Sequence, residues 1–178
     1  MKIKCDLSIS GLRDLQRQLE NYEKDLTTKC ELFAYKLAKL GIEVATSNSG
    51  NYGKYIIFSM RTEPEKDGCK VIFYAKDKQP IKAEWKTSDG IKTADVSPLL
   101  MAEFGSGFRA QNPLNVEGVG QGTFPNQTHA FDSGGWYWID KEDKLHHSIG
   151  VYPSQPMFNA SQIIRNNVMR VAKEVFGG

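Results

Sequence analysis

Ten apolar residues between Leu12 and Val44 recur at intervals that only a helix gathers onto one side. Leu12, Leu15, Leu19, Tyr22, Leu26, Cys30, Phe33, Leu37, Leu40 and Val44 are separated by steps of 3, 4, 3, 4, 4, 3, 4, 3 and 4. A period near 3.6 predicts an amphipathic helix with one face buried for about ten turns. Ser10 is placed to cap it, with the helix starting near Gly11. Thr27-Thr28 is its weak spot, because β-branched residues lose rotamer freedom in a helix. The a and d positions are mixed and the stretch is short, so packing on the chain's own sheet is expected rather than a coiled coil.

The rest of the chain supplies that sheet. Ile3, Cys5 and Leu7 alternate with polar residues and predict a short strand. Residues 47–53 read as a loop. Residues 55–60 and 69–75 predict two strands joined by a polar turn at 63–68. Both are apolar on both faces near their centres, which predicts an interior place in the sheet. Residues 76–92 mix lysines with acids and predict an edge strand and a turn at Ser88-Asp89-Gly90. Residues 136–139 and 145–150 predict a pair of strands around a charged turn. Pro156 opens a last helix, with Met157, Ala160, Ile164, Val168, Val171 and Val175 on one face. The expected fold is α+β. It has an antiparallel sheet, a long amino-terminal amphipathic helix and a carboxy-terminal helix packed on it, and a long glycine-rich loop. Residues 1–178 are expected to form one domain.

That loop is expected at residues 106–133. From Gly105 to Gly135 there are 31 residues, holding seven of the 16 glycines. Asn112-Pro113, Gly118-Val119-Gly120-Gln121-Gly122 and Phe124-Pro125-Asn126 are breakers. A loop this long inside a compact domain is usually functional or disordered. It offers Phe108, Arg109 and Phe124 as scattered anchors. Its removal is expected to leave folding stability nearly unchanged. The strand after it carries Trp136 and Trp138 on one face and Tyr137 on the other. These tryptophans fill the core, or else expose an interface anchor or a sugar-stacking platform.

Charge and cysteine usage exclude several classes. The formal net charge of +2 gives no ground for nucleic-acid or membrane-surface binding. No apolar run approaches the ~18 residues of a membrane span. Cys5, Cys30 and Cys69 lie far apart without a CxxC pair, so neither a zinc ribbon nor a redox motif is supported. Gly50-Asn51-Tyr52-Gly53-Lys54-Tyr55 is too short for a phosphate loop, and Tyr55 stands where Ser or Thr would hold magnesium. His146-His147 lies near Asp140, Glu142 and Asp143, but neighbours on a strand point to opposite faces. His129 and Asp132 sit in the glycine-rich span without visible support for a ligand shell. No Ser or Cys sits in a nucleophile motif. No catalytic residue, metal or cofactor is expected. The alternatives are a metal-dependent hydrolase or nuclease at His146/His147 and a carbohydrate-binding module at Trp136/Trp138.

Three segments carry a family resemblance. They are Ile9-Ser10-Gly11-Leu12-Arg13-Asp14-Leu15, Leu100-Met101-Ala102-Glu103-Phe104-Gly105-Ser106-Gly107 and Gln155-Pro156-Met157-Phe158-Asn159-Ala160. In order and spacing the chain resembles the gene-product-ten-like family of long-tailed bacteriophages, which are tail-completion or head–tail joining proteins. The second segment looks like that family's strand ending in Glu-Phe-Gly-Thr/Ser, the third like its Pro-Phe-x-x-Ala opening of the last helix. Gly53-Lys54-Tyr55-Ile56 departs from the family's Pro-Val-Asp-Thr-Gly. The resemblance implies a minor structural protein of the virion, assembled in the host cytoplasm. It implies a ring formed with copies of itself and with neck or tail proteins such as an adaptor, tail terminator or tail tube. It implies no catalysis, no membrane partner and no sequence-specific nucleic acid. In isolation a monomer or weak oligomer is expected, because the helix stripe would be spent on the sheet.

Overall fold

The computed structural model describes residues 8–65, 68–111 and 132–177. The expected strand at Ile3, Cys5 and Leu7 lies outside them, as do Phe124, His129 and the breakers between residues 112 and 126. The fold is α+β. A single helix α1, Ile9–Asn48, runs 40 residues, about 60 Å at 1.5 Å per residue. Its cap is Ser8 rather than Ser10. The Ser8 hydroxyl accepts the Gly11 N–H at 3.1 Å, satisfying one of the donors a helix start leaves free. The helix passes unbroken through Thr27-Thr28. Both hydroxyls turn back onto the helix and donate to the Glu23 and Lys24 carbonyls at 3.0 and 2.9 Å, so the β-branched pair is accommodated without a break.

A 3-10 turn at Gly50–Tyr55 leads into strands β1, Ile56–Glu65, and β2, Gly68–Asp77. Among the described residues they pair only with each other, as an antiparallel hairpin from Ile56↔Asp77 to Glu65↔Gly68. The expected interior position in a larger sheet is therefore wrong. Helix α1 packs against the hairpin, and among the described residues no further strand flanks it. Strands β3, Ile81–Thr87, β4, Gly90–Val96, β5, Trp136–Ile139, and β6, Leu145–Ser148, form a second sheet in the order β4-β3-β5-β6. Helix α2, Pro98–Phe104, lies between them in sequence and packs on the Gly50–Tyr55 turn. Helix α3, Pro156–Phe176, closes the fold.

The core is where α3 crosses α1. The two run antiparallel. Asn159 Nδ2 donates to Asn48 Oδ1 at 3.5 Å at one end. At the other, Lys36 pairs with Glu174, and the Phe33 and Phe176 rings lie 5.7 Å apart. Close approach comes from small residues. Ala38, Ala45 and Ala160 are buried, and a Cβ on Gly41 would lie 2.6 Å from Ile164 Cδ1. The line buried on α1 is thus Leu37, Ala38, Gly41 and Ala45, beside the stripe residues Phe33, Leu40 and Val44, which are half-buried.

Among the described residues, no other element packs on the first half of α1. Helix α3 ends at Phe176, beside Phe33. The β1–β2 hairpin ends near Cys30 and Glu31, which, after burial, add to what pushes the thiol of Cys69 at the start of β2 up. Burial is the larger cause of the upward shift of the Cys69 thiol. Both covering elements therefore stop near residue 30. Residues 9–28 extend roughly 30 Å beyond them. Leu12, Leu19, Tyr22 and Leu26 remain between 42% and 50% exposed. The expectation of one face buried for about ten turns is corrected. The period specifies the helix but is blind to where its partners end.

Candidate assembly surfaces

Three exposed apolar surfaces stand out, and each has a local cause. The first is the amino-terminal arm of α1. Its apolar residues keep strict 3-4 spacing from Leu12 to Leu26, the seam of a helix that packs on something. Charged residues around the seam are mostly paired within the arm. Arg17 meets Asp14 at 2.6 Å, Lys29 meets Asp25 at 3.0 Å, and Gln16 donates to Glu20 at 2.9 Å. Glu23, one turn from both Leu19 and Leu26, has no side-chain partner among the described residues.

The second surface is a corner built where two of the sequence segments meet. Glu103 is the lone acid in the apolar run of α2 and is 6% exposed. Its carboxylate accepts the Met157 and Phe158 N–H groups at 2.8 and 2.9 Å, so it caps the start of α3 from outside the helix. Pro156, the first residue of α3, has no N–H to satisfy. The Ala102 carbonyl accepts the Ser154 and Gln155 N–H groups at 2.8 and 3.0 Å. Just beyond, Ser106 and Val151 exchange N–H···O bonds at 3.0 and 3.2 Å. That approach needs glycine. Gly150 has φ +97, and a Cβ there would lie 1.9 Å from the Ser106 carbonyl oxygen. The Leu100–Gly105 segment, whose apolar residues fit a strand or a short buried helix and which the family resemblance implies is a strand, is helical to Phe104 with Gly105 as its cap. Ser97 caps its start through the Leu100 N–H, and Asp77 accepts the Leu99 N–H. A 3-10 turn at Gly107–Arg109 and a bond from Gln111 N–H to the Phe104 carbonyl hold the segment that follows. The expected loop therefore does not begin at residue 106, since residues 106–111 belong to the folded body.

This construction turns Phe108 and Tyr152 outward, 56% and 64% exposed. The Arg109 guanidinium lies 4.5 Å from the centre of the Tyr152 ring, a cation–π contact. It has no carboxylate partner among the described residues. Phe108 and Arg109 thus lie together on a firm platform, whereas Phe124 lies outside the described residues.

The third surface is the outer face of the second sheet. Tyr137 pairs with His147 and Ile139 with Leu145, and all four are exposed. The Tyr137 and His147 rings stack at 4.5 Å. Trp136 and Trp138 face the other way and are half-buried, in register with Ser148 and His146. Trp138 stacks on His146 at 4.3 Å between centroids. The exposed aromatic of this strand is Tyr137, so the flat, open Trp136/Trp138 face that sugar stacking requires is not present.

The two histidines lie on opposite faces of the hairpin. His146 Nε2 is 2.7 Å from Asp140 Oδ2, and His147 Nε2 is 2.7 Å from the Gly134 carbonyl. The His146 hydrogen bond is the main cause that holds the Asp140 carboxyl below the usual range, helped by the Lys144 and Glu142 N–H groups. Asp140 thus organises the charged turn. Among the described residues no group of three or more His, Cys, Asp or Glu is placed to hold a metal ion. No described helix is long and apolar enough to cross a membrane.

Sequence reading missed the Glu103 cap, the open arm and the outward turn of Tyr137. Glu103 had a visible signal, a single acid inside Leu-Leu-Met-Ala-Glu-Phe. Such an acid is either solvated or paired, and an apolar run favours the paired state. Comparison with known proteins returned no match to any family model, curated protein or solved structure.

Proposed function

We propose that the protein is a structural component of bacteriophage morphogenesis, a tail-completion or head–tail joining subunit that works by protein–protein assembly. The observation that carries this reading is the arm of α1. A helix with a regular apolar seam and no cover from the described residues of its own chain is stable in water chiefly when a partner packs on it. The corner adds support, because two of the three segments that carry the family resemblance are bonded to each other through Glu103.

The test is complementation of a phage from which the gene has been removed, read by electron microscopy. Filled heads and separate tails are expected without the protein, and joined particles on adding the wild-type gene. A Leu19→Ser/Tyr22→Ser variant should leave heads and tails apart. Normal particles in the absence of the gene would overturn the reading.

The same reading assigns no chemistry to the histidine hairpin. Purified protein incubated with magnesium or manganese and DNA should leave the DNA intact. Cleavage that disappears in His146→Ala or His147→Ala would replace the structural role with a nuclease.

A further inference from the structure

The arm and the corner are unlike surfaces at opposite ends of one molecule. The arm lies before residue 30 of α1. The corner lies beyond its other end, where α2 packs on the Gly50–Tyr55 turn and Glu103 caps α3 beside Asn48. Leu26 and Asn48 are 22 residues apart on one helix, roughly 33 Å. The arm of a molecule therefore cannot fold back onto its own corner. Their chemistry is complementary. The arm carries Leu19, Tyr22 and Leu26 with Glu23 beside them, whose side chain has no partner among the described residues. The corner carries Phe108 and Tyr152 with Arg109, which has no carboxylate partner among the described residues.

We infer that the arm of one copy docks on the corner of the next, with Leu19 and Tyr22 against Phe108 and Tyr152 and with Glu23 paired to Arg109. This deepens the assembly reading, on which it rests, by naming the two faces and making the partner a second copy of this chain. A contact between unlike faces leaves each molecule with one arm and one corner still free. Such heterologous contacts continue into a ring when the rotation closes and into a filament when it does not. Two arms pairing with each other would instead stop at a dimer. That arrangement would leave Arg109 and the corner unengaged. The arm is a narrow surface, near or below the ~1,000 Å² expected of a specific interface, so association of the isolated chain is weak and depends on concentration.

Sedimentation velocity over rising concentration tests the contact. Wild-type protein should self-associate past the dimer. Leu19→Asp spoils the arm and Phe108→Ser spoils the corner, and each variant alone should stay monomeric. Mixed together they should form a dimer and stop there, since only one sound arm and one sound corner can meet. Glu23→Arg alters an exposed charge, and Arg109→Glu alters a half-buried one whose contact in the fold is the exposed Tyr152 ring. Each alone should weaken association about tenfold or more, and both reversals in one chain should restore it. The contact is overturned if the wild type stays monomeric at the highest concentration reached, if Phe108→Ser self-associates like the wild type, or if the double reversal fails to restore. Failure of these patterns beside successful complementation sinks the contact and leaves the assembly role. Success of these patterns with a gene that the phage does not need sinks the phage role and leaves the contact.

Discussion

Glu103 ties two helices with one side chain. It leaves α2, is buried, and satisfies two N–H groups at the start of α3. Those donors have no intrahelical acceptor, and a buried orphan donor costs about 1–3 kcal/mol. Glu103→Ala should therefore lower unfolding free energy by about 2–3 kcal/mol in urea denaturation. A loss below about 0.5 kcal/mol would show that water replaces the carboxylate. Asp140 acts by charge at an open turn. Its folded pKa is depressed, first by His146 and then by the Lys144 N–H. The contribution is complete above the unfolded value, about 3.9, and disappears as pH falls through the lower folded value. Asp140→Asn should thus lower the denaturation midpoint at neutral pH, and the gap between variant and wild type should close in acid. A gap that widens below pH 4 would contradict the assignment. Both roles follow from neighbours far off in sequence. The Glu-Phe-Gly run shows that an acid is there but not that it reaches residues 54 and 55 positions further on.

Helix α1 is two elements in energetic terms. Residues 37–45 face α3 and the hairpin, and residues 9–28 face solvent. Leu37→Ala should cost about 2–4 kcal/mol, because it opens a cavity under close packing. Leu19→Ser/Tyr22→Ser should leave the global midpoint nearly unchanged, because no other element covers those residues. Hydrogen exchange should agree, with fast exchange over residues 12–26 and slow exchange over 37–45. Protection of the arm equal to that of the core would mean that the helix opens as one unit. Gly41 marks the tightest crossing. Alanine there gains helix propensity of about 1 kcal/mol but must move the end of Ile164, so Gly41→Ala should be close to neutral. Gly41→Leu overpacks the crossing and should cost about 1–3 kcal/mol by the same denaturation measurement. The helix itself was legible from its spacing. Its division was not, because the same 3-4 spacing continues through both halves while α3 runs out at Phe176 beside Phe33.

At the scale of the molecule, the glycine-rich span is less separable from the body than its composition implies. Ser106 exchanges two hydrogen bonds with Val151, Gln111 donates to Phe104, and Gly150 is fitted against the Ser106 carbonyl. Removing residues 106–133 and joining the ends with a short glycine linker should therefore destabilise the fold, opposite to the expectation from sequence. Thermal denaturation of the deletion variant checks this. An unchanged midpoint would show that the corner is not part of the cooperative unit. The fold was legible in its class, in its two long helices and in the strands on either side of the charged turn at 140–144, because each follows a local periodicity or a turn signal. Strand β4 and the helical state of α2 were not. The candidate surfaces were legible only in part. Phe108 and Arg109 could be singled out as loop anchors, but not the platform that presents them. Trp136 and Trp138 could be assigned to one face, but not which face meets solvent.

The sequence by itself determined the long amphipathic helix, the hairpin turn at Ser88-Asp89, the aromatic strand and the proline-led final helix, since each is written within a dozen or so neighbouring residues. Tertiary structure alone decided that the strands divide into two sheets, that α3 covers only the second half of α1, and that Glu103 joins α2 to α3. Those outcomes depend on where one element ends against another. Local spacing carries no information about that endpoint, because an apolar seam has the same period whether its partner is the same chain or a different molecule.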